Sequence, residues 1–219
     1  MWTYKNILFS TAILISGFVL IGCKPEKPVD RNAVKQEMES RELKRVSQAD
    51  LLAKGEEIGK NVLEVTQKTF QTALTTAVSE EGISGAITYC NTNAMDIIRK
   101  LEDSLNISIK RVTDQPRNPK DSLTGIEKEI WEAYAYSPQN ASTQILELDD
   151  KALIMTSPII ISSGLCLNCH GAVGNQITDE NHSLIKELYP DDQATGYKVG
   201  DLRGMWSVVI PKKEVVRKL

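Results

Sequence analysis

The chain has 219 residues, 41% hydrophobic and 25% charged, and its 26 basic against 29 acidic residues leave a net charge of −3. That balance implies neither a nucleic-acid partner nor attraction to an anionic membrane surface, both of which need clustered basic charge. The length suits one domain of ordinary size with a sizeable core, and no internal repeat or low-complexity tract divides it.

At the start, Lys5 precedes an apolar run from Ile7 to Ile21 that closes on Leu20-Ile21-Gly22-Cys23. The run is short for a membrane span and ends on small residues, as a signal peptide does at its cleavage site. The closing residues resemble the lipobox of bacterial lipoproteins. The resemblance implies that residues 1–22 are removed and that Cys23 is acylated to anchor the mature chain. A lipid-anchored protein of the bacterial cell envelope, facing the periplasm or the exterior, is expected. Lys24 stands where aspartate is associated with inner-membrane retention, which favours the outer membrane. Residues 23–46 are rich in proline and mixed charge and read as a flexible tether, leaving residues 47–219 as the folded domain.

From Ser47 onward Leu51, Ile58, Val62, Val65, Phe70, Leu74, Ala77 and Val78 recur at helical spacing, and the helix ends near Gly82. A second stripe runs through Ile83, Ala86, Ile87, Cys90, Ala94, Ile97, Ile98, Leu101 and Leu105, with Cys90 on the buried face. Residues 107–112 alternate like a strand, and Asp114 to Asp121, with Pro116 and Pro119, forms a loop. Thr124-Gly-Ile-Glu127 fits a capping box that opens a helix ended by Ser137-Pro138. Residues 143–148 and 152–160 form a hairpin about Asp149-Asp150-Lys151, with Pro158 at an edge or at the end of pairing. A short helix from Asp179 to Leu188, a Gly- and Asp-rich stretch from Tyr189 to Gly204 and a last strand from Met205 to Ile210 complete the chain. Helices first and antiparallel strands afterwards indicate an α+β domain.

The hairpin leads into Cys166-Leu167-Asn168-Cys169-His170, the spacing that covalent haem attachment requires. Two thiols add across the two vinyl groups of one porphyrin, and the adjacent imidazole is positioned on the iron. A redox disulfide or half of a zinc site could use the same cysteines, but no second C-x-x-C is present and His182 lies twelve residues from His170. One covalent haem c is therefore expected, and an exported chain is where it would be attached.

Cys23 and the haem pair leave Cys90 without a covalent partner in an oxidising compartment. Two readings stay open: a small buried hydrophobe, or a sulfur bound to iron opposite His170. Met155, Met205 and His182 are competing ligands, and a vacant sixth position is a further option.

Together with the haem motif, Ala86-Ile-Thr-Tyr-Cys90-Asn91, Arg111, Arg117-Asn118-Pro119, Tyr189 to Tyr197 and Gly200-Asp-Leu-Arg203-Gly204 resemble the Tll0287-like haem domain family over about residues 50–212. The resemblance implies a PAS-like fold with a mostly antiparallel sheet, here preceded by long N-terminal helices. It also implies His/Cys axial ligation, which falls on His170 and Cys90. After Pro119 the sequence departs from the family, with Lys120-Asp121 in place of a second asparagine. Arg111, Arg117 and Arg203 are candidate partners for the two haem propionates, or else ordinary ion-pair residues. The stretch from Tyr189 to Tyr197 could cover the haem edge, or be a turn-rich connector.

The expected function is single-electron transfer or redox reporting with an unidentified redox partner protein. The alternative is a haem-based redox or gas sensor, expected to act through a partner because the chain carries no kinase, cyclase or transmembrane output module. Enzymatic turnover is not expected, because nothing clearly supplies the polar distal base that peroxidase-like chemistry needs.

Overall fold

The computed structural model describes residues 30–41 and 46–219, in two compact units, Met1–Lys44 and Arg45–Leu219. The segment expected as a signal peptide, Cys23 and the proline-containing start of the expected tether lie outside the described residues.

In the first unit, helix α1 (Arg31–Arg41) occupies part of the segment expected as a flexible tether. Its Ala, Lys, Gln, Glu and Met residues are strong helix formers, and Asp30 Oδ1 caps it by accepting from the N–H groups of Asn32 and Ala33 at 2.9 and 3.2 Å. Residues 31–38 are exposed, so no apolar face is buried along them.

The second unit begins with α2 (Gln48–Leu105), whose N-cap Ser47 accepts from the Asp50 N–H at 3.1 Å. Gly82 interrupts it where the change of stripe placed a break, with φ 71° and ψ −168°, a region essentially closed to other residues. The N-terminal arm packs on the sheet through Ile58, Val62 and Leu63. Here the apolar pattern misled at one turn: Val65 is half-exposed, while Leu63 and Thr66 are buried. Thr66 tolerates burial because its hydroxyl donates to Val62 O at 2.7 Å. Gly55 and Gly59 permit the close approach. A Cβ on them would stand 2.4 Å from Leu153 Cδ1 and 2.1 Å from Met155 Sδ.

Four antiparallel strands follow, β1 (Ser108–Val112), β2 (Gln144–Glu147), β3 (Ala152–Ile160) and β4 (Leu202–Pro211), in the order β1-β4-β3-β2. Asp149 Oδ1 closes the expected hairpin by accepting from Lys151 N and Ala152 N at 2.7 and 2.8 Å. Pairing with β2 stops at Thr156, so Pro158, which cannot donate, has only β4 beside it. The α+β class with its antiparallel sheet is thus the observed one.

One face of the sheet, with Ile109, Leu153, Met155, Trp206, Val208 and Ile210, packs under α2. The other presents Val112 and Met205 to α3 (Ile126–Tyr136) through Ile130, Trp131 and Tyr134. The capping box at α3 forms by half: Glu127 Oε2 accepts from Thr124 N at 3.0 Å, but the Thr124 hydroxyl donates to the same carboxylate instead of accepting a backbone N–H.

Two short helices carry no signal in the sequence pattern. They are α4 (Gly164–His170) and α6 (Lys212–Val216), while α5 (Asp179–Leu188) lies where the pattern placed it. Val215 of α6 is fully buried in the α2 core.

Candidate functional site

The two thiols and the imidazole sit on α4, which begins after extended Ser163 and is closed by Gly171 N donating to Leu167 O at 2.8 Å. Gly171 has no room for a side chain, since a Cβ would lie 2.7 Å from Leu167 O. The loop after α5 is laced to this helix end: Gly196 N donates to Gly171 O at 2.8 Å and Tyr197 N to His170 O at 2.9 Å.

His170 Nδ1 stands 2.8 Å from Ala194 O and 3.3 Å from Arg203 Nε. A carbonyl can only accept, so the shorter contact places the proton on Nδ1, and Arg203 then acts on the ring by its charge. Burial, with the positive charges of Arg203 and Arg117 adding to it, drives the imidazole well below its ordinary pKa against the opposing Ala194 hydrogen bond. The ring is therefore neutral, with its lone pair on Nε2, the form in which histidine binds a metal. Tyr197 meets it edge-on, centroids 6.3 Å apart.

The three expected arginines differ in what already satisfies them. Arg111 is partly exposed and pairs with Asp121 Oδ2 at 3.7 Å. Arg117 Nε donates to Asp192 Oδ1 at 3.0 Å, and its Nη2 donates to Cys169 O and, at 3.3 Å, to Ala194 O. Its guanidinium also lies over the Tyr189 ring, 5.9 Å from the centroid. Arg203 is only 6% exposed and makes no ion pair among the described residues. It has Gln115 O at 3.4 Å and the Tyr197 ring at 5.3 Å from its guanidinium carbon. Burial, reinforced by the Arg111 charge, lowers its pKa to about 10.

Cys90, Cys166 and Cys169 are free thiols. Burial pushes Cys90 up while Arg111 and Arg117 pull it down; burial likewise raises Cys169, whose surroundings include Arg117 and Cys90. Burial acts upward on Cys166 too, but hydrogen bonding with Ser163 and Ser162 outweighs it and leaves this thiol the more easily ionised. The sequence placed Cys90 on a buried face; it is half-buried, one turn beyond Ile87, whose cluster takes in Cys169 and Tyr189. Cys90, Cys169, His170 and the three arginines thus gather around one site. Met155 and Met205 do not join it, being fully buried in the two cores, and His182 is a half-buried residue of α5. Among the described residues no three His, Cys, Asp or Glu side chains are placed to hold a bare metal ion, so the zinc reading gains no ligand set.

Sequence reasoning took in Asp192 and Ala194 only as part of the Tyr189 to Tyr197 stretch and gave neither a role of its own. Asp192 looks like any turn aspartate until the fold sets it against Arg117, and Ala194 contributes a backbone carbonyl, which no side-chain pattern announces.

No curated protein matches the chain. A solved structure titled as that of the cyanobacterial heme-protein Tll0287 has a similar fold, with a TM-score of 0.53 and 24% identity, covering 71% of this chain and 95% of that one. A family model described as Tll0287-like matches residues 31–211. That span runs from α1 through Cys90, the Cys166–His170 helix and Arg203 to the end of β4, and on it the chain belongs to the Tll0287-like family.

Proposed function

We propose that this chain is a c-type haem protein, carrying one haem through thioether bonds to Cys166 and Cys169, and that it transfers or reports single electrons. The observation that carries the reading is the pairing of a neutral His170, its Nε2 lone pair available, with a buried Arg203 cation that makes no ion pair among the described residues, the nearby Asp192 being paired with Arg117. A buried charge without a partner costs several kcal/mol, and a ligand bearing both a metal and carboxylates answers both needs. The name of the structural neighbour, a heme-protein, points the same way.

When bound, the haem supplies a one-electron iron couple. Everything else falls to the chain. Cys166, the more easily ionised thiol, and Cys169 would anchor it; His170 would bind the iron through Nε2, its ring fixed by Nδ1–H to Ala194 O. Cys90 is our candidate for a second iron ligand, since the charges of Arg111 and Arg117 favour the thiolate that burial disfavours. A thiolate ligand would hold the reduction potential low. Arg203 would meet a propionate, with Arg111, which pairs with Asp121, as the second candidate. Cys23 would carry the lipid that tethers the domain to the bacterial envelope, a reading that rests on the sequence alone.

Expression in a host competent for cytochrome maturation tests this. We expect coloured protein with the added mass of one haem and a low-spin ferric EPR spectrum of the His/thiolate kind, which Cys90→Ser abolishes. Colourless protein of unmodified mass would overturn the assignment; an unchanged spectrum in Cys90→Ser would remove Cys90 from the iron.

A further inference from the structure

One backbone carbonyl beside the imidazole has two donors. Ala194 O accepts from His170 Nδ1 at 2.8 Å and from Arg117 Nη2 at 3.3 Å. The N–H of the same residue donates to Asp192 Oδ1 at 2.9 Å, the oxygen that Arg117 Nε reaches at 3.0 Å. Arg117 Nη2 also holds Cys169 O, the carbonyl immediately before His170. The Asp192 side chain is wholly inaccessible to solvent and that of Arg117 is 11% exposed, so this ion pair is a fixed part of the interior. Lys186 Nζ donates to Asp192 O at 3.0 Å and Gln193 N to Pro116 O at 3.0 Å, tying the same loop to α5 and to the segment that bears Arg117.

We propose that Arg117, acting with Asp192, is a positioning residue for His170: the pair fixes the Ala194 carbonyl that sets the tautomer and plane of the imidazole, and Arg117 limits how strongly that carbonyl accepts. The first half concerns the chain alone, and the second rests on the haem reading above. A ligating histidine that donates its other N–H becomes a stronger electron donor in proportion to the strength of that acceptor. A guanidinium on the same oxygen competes for its lone pairs, weakens the Nδ1–H bond and makes the imidazole a poorer donor. Removing Arg117 would therefore strengthen the histidine as a ligand, favour ferric iron and lower the potential. In this arrangement Nε and Nη2 of Arg117 are taken by Asp192 and two carbonyls.

The test uses the full chain, unloaded and haem-loaded, as wild type, Arg117→Gln/Asp192→Asn and Arg117→Lys. The double variant changes no net charge and leaves no lone buried ion, so it separates positioning from simple charge and favours folding. In the unloaded chain, NMR of His170 is expected to show the Nδ1–H tautomer in wild type and, in the double variant, the same Nδ1–H proton shifted downfield by a stronger hydrogen bond to Ala194 O. In the loaded chain, the double variant is expected to show altered EPR g-values and a lower potential. Arg117→Lys, which keeps the charge but cannot span Asp192 and both carbonyls, is expected to move both in the same direction. An unshifted Nδ1–H proton in the unloaded double variant, or wild-type g-values and potential in both variants, would overturn the proposal. A shifted Nδ1–H proton in a chain that takes up no haem would sink the haem reading while leaving the positioning role standing.

Discussion

Arg203 illustrates how a residue can be placed for something the polypeptide lacks. Its guanidinium is buried against His170, Gln115 O and the Tyr197 ring and makes no ion pair among the described residues. A buried charge without an ion-pair partner carries a desolvation penalty of several kcal/mol, which an apolar residue of similar size removes. Arg203→Met is accordingly expected to raise the urea midpoint of the haem-free protein. In haem-loaded protein the sign is expected to reverse, because there the cation has an anionic partner. A lower midpoint in the haem-free variant would mean that the carbonyl and the ring already satisfy the charge. The sequence shows an arginine suited to a carboxylate at three positions and cannot rank them. Burial and pairing do so, assigning Asp121 to Arg111 and Asp192 to Arg117.

Among the elements, α2 is the most informative. It lies close enough to β3 that two of its positions, Gly55 and Gly59, have no space for a methyl group. Gly59→Ala is expected to destabilise the fold by about 1–3 kcal/mol through overpacking against Met155, read as a lower urea midpoint with an unchanged slope. No loss would show that the flexible methionine moves aside at negligible cost. The break at Gly82 was legible because a hydrophobic stripe restarts there, and the strands were legible because alternation and turn residues coincide. Helices α4 and α6 were not, since five to seven residues present too few turns for a period to register. The helix within the expected tether went unread for another reason: residues with good intrinsic propensity but no apolar face leave no stripe to find.

Over the whole molecule, the sheet is covered by α2 on one face and α3 on the other, and the candidate site lies where residues from α2, the loop after β1, α4, the loop after α5 and β4 converge. That convergence has a consequence for stability. The unfolded chain binds a proton at His170 near pH 6.5, whereas the folded haem-free chain keeps this imidazole neutral to well below that value. Below pH 6.5 the unfolded state thus holds more protons, so stability is complete above that pH and falls as the pH drops toward the folded value. The slope approaches about 1.4 kcal/mol per pH unit. Urea unfolding of the haem-free chain between pH 7.5 and 5 should show this decline, and His170→Gln should flatten it. Equal declines in the two proteins would place the cause elsewhere.

The sequence by itself determined the chemistry available: two thiols and an imidazole at one spacing, a third cysteine on a helical stripe, arginines fit for carboxylates, and an apolar run closing on Cys23. It also determined the α+β order of elements, because hydrophobic periodicity is local and survives in one dimension. What only the tertiary structure decided is which groups meet. Cys90, Arg117, His170, Asp192 and Arg203 come from five separate segments, and the tautomer of the imidazole depends on a carbonyl twenty-four residues away. A backbone oxygen has no signature in the residue that carries it, and the neutral form of His170 follows from burial and neighbouring charge, which exist only once the chain has folded.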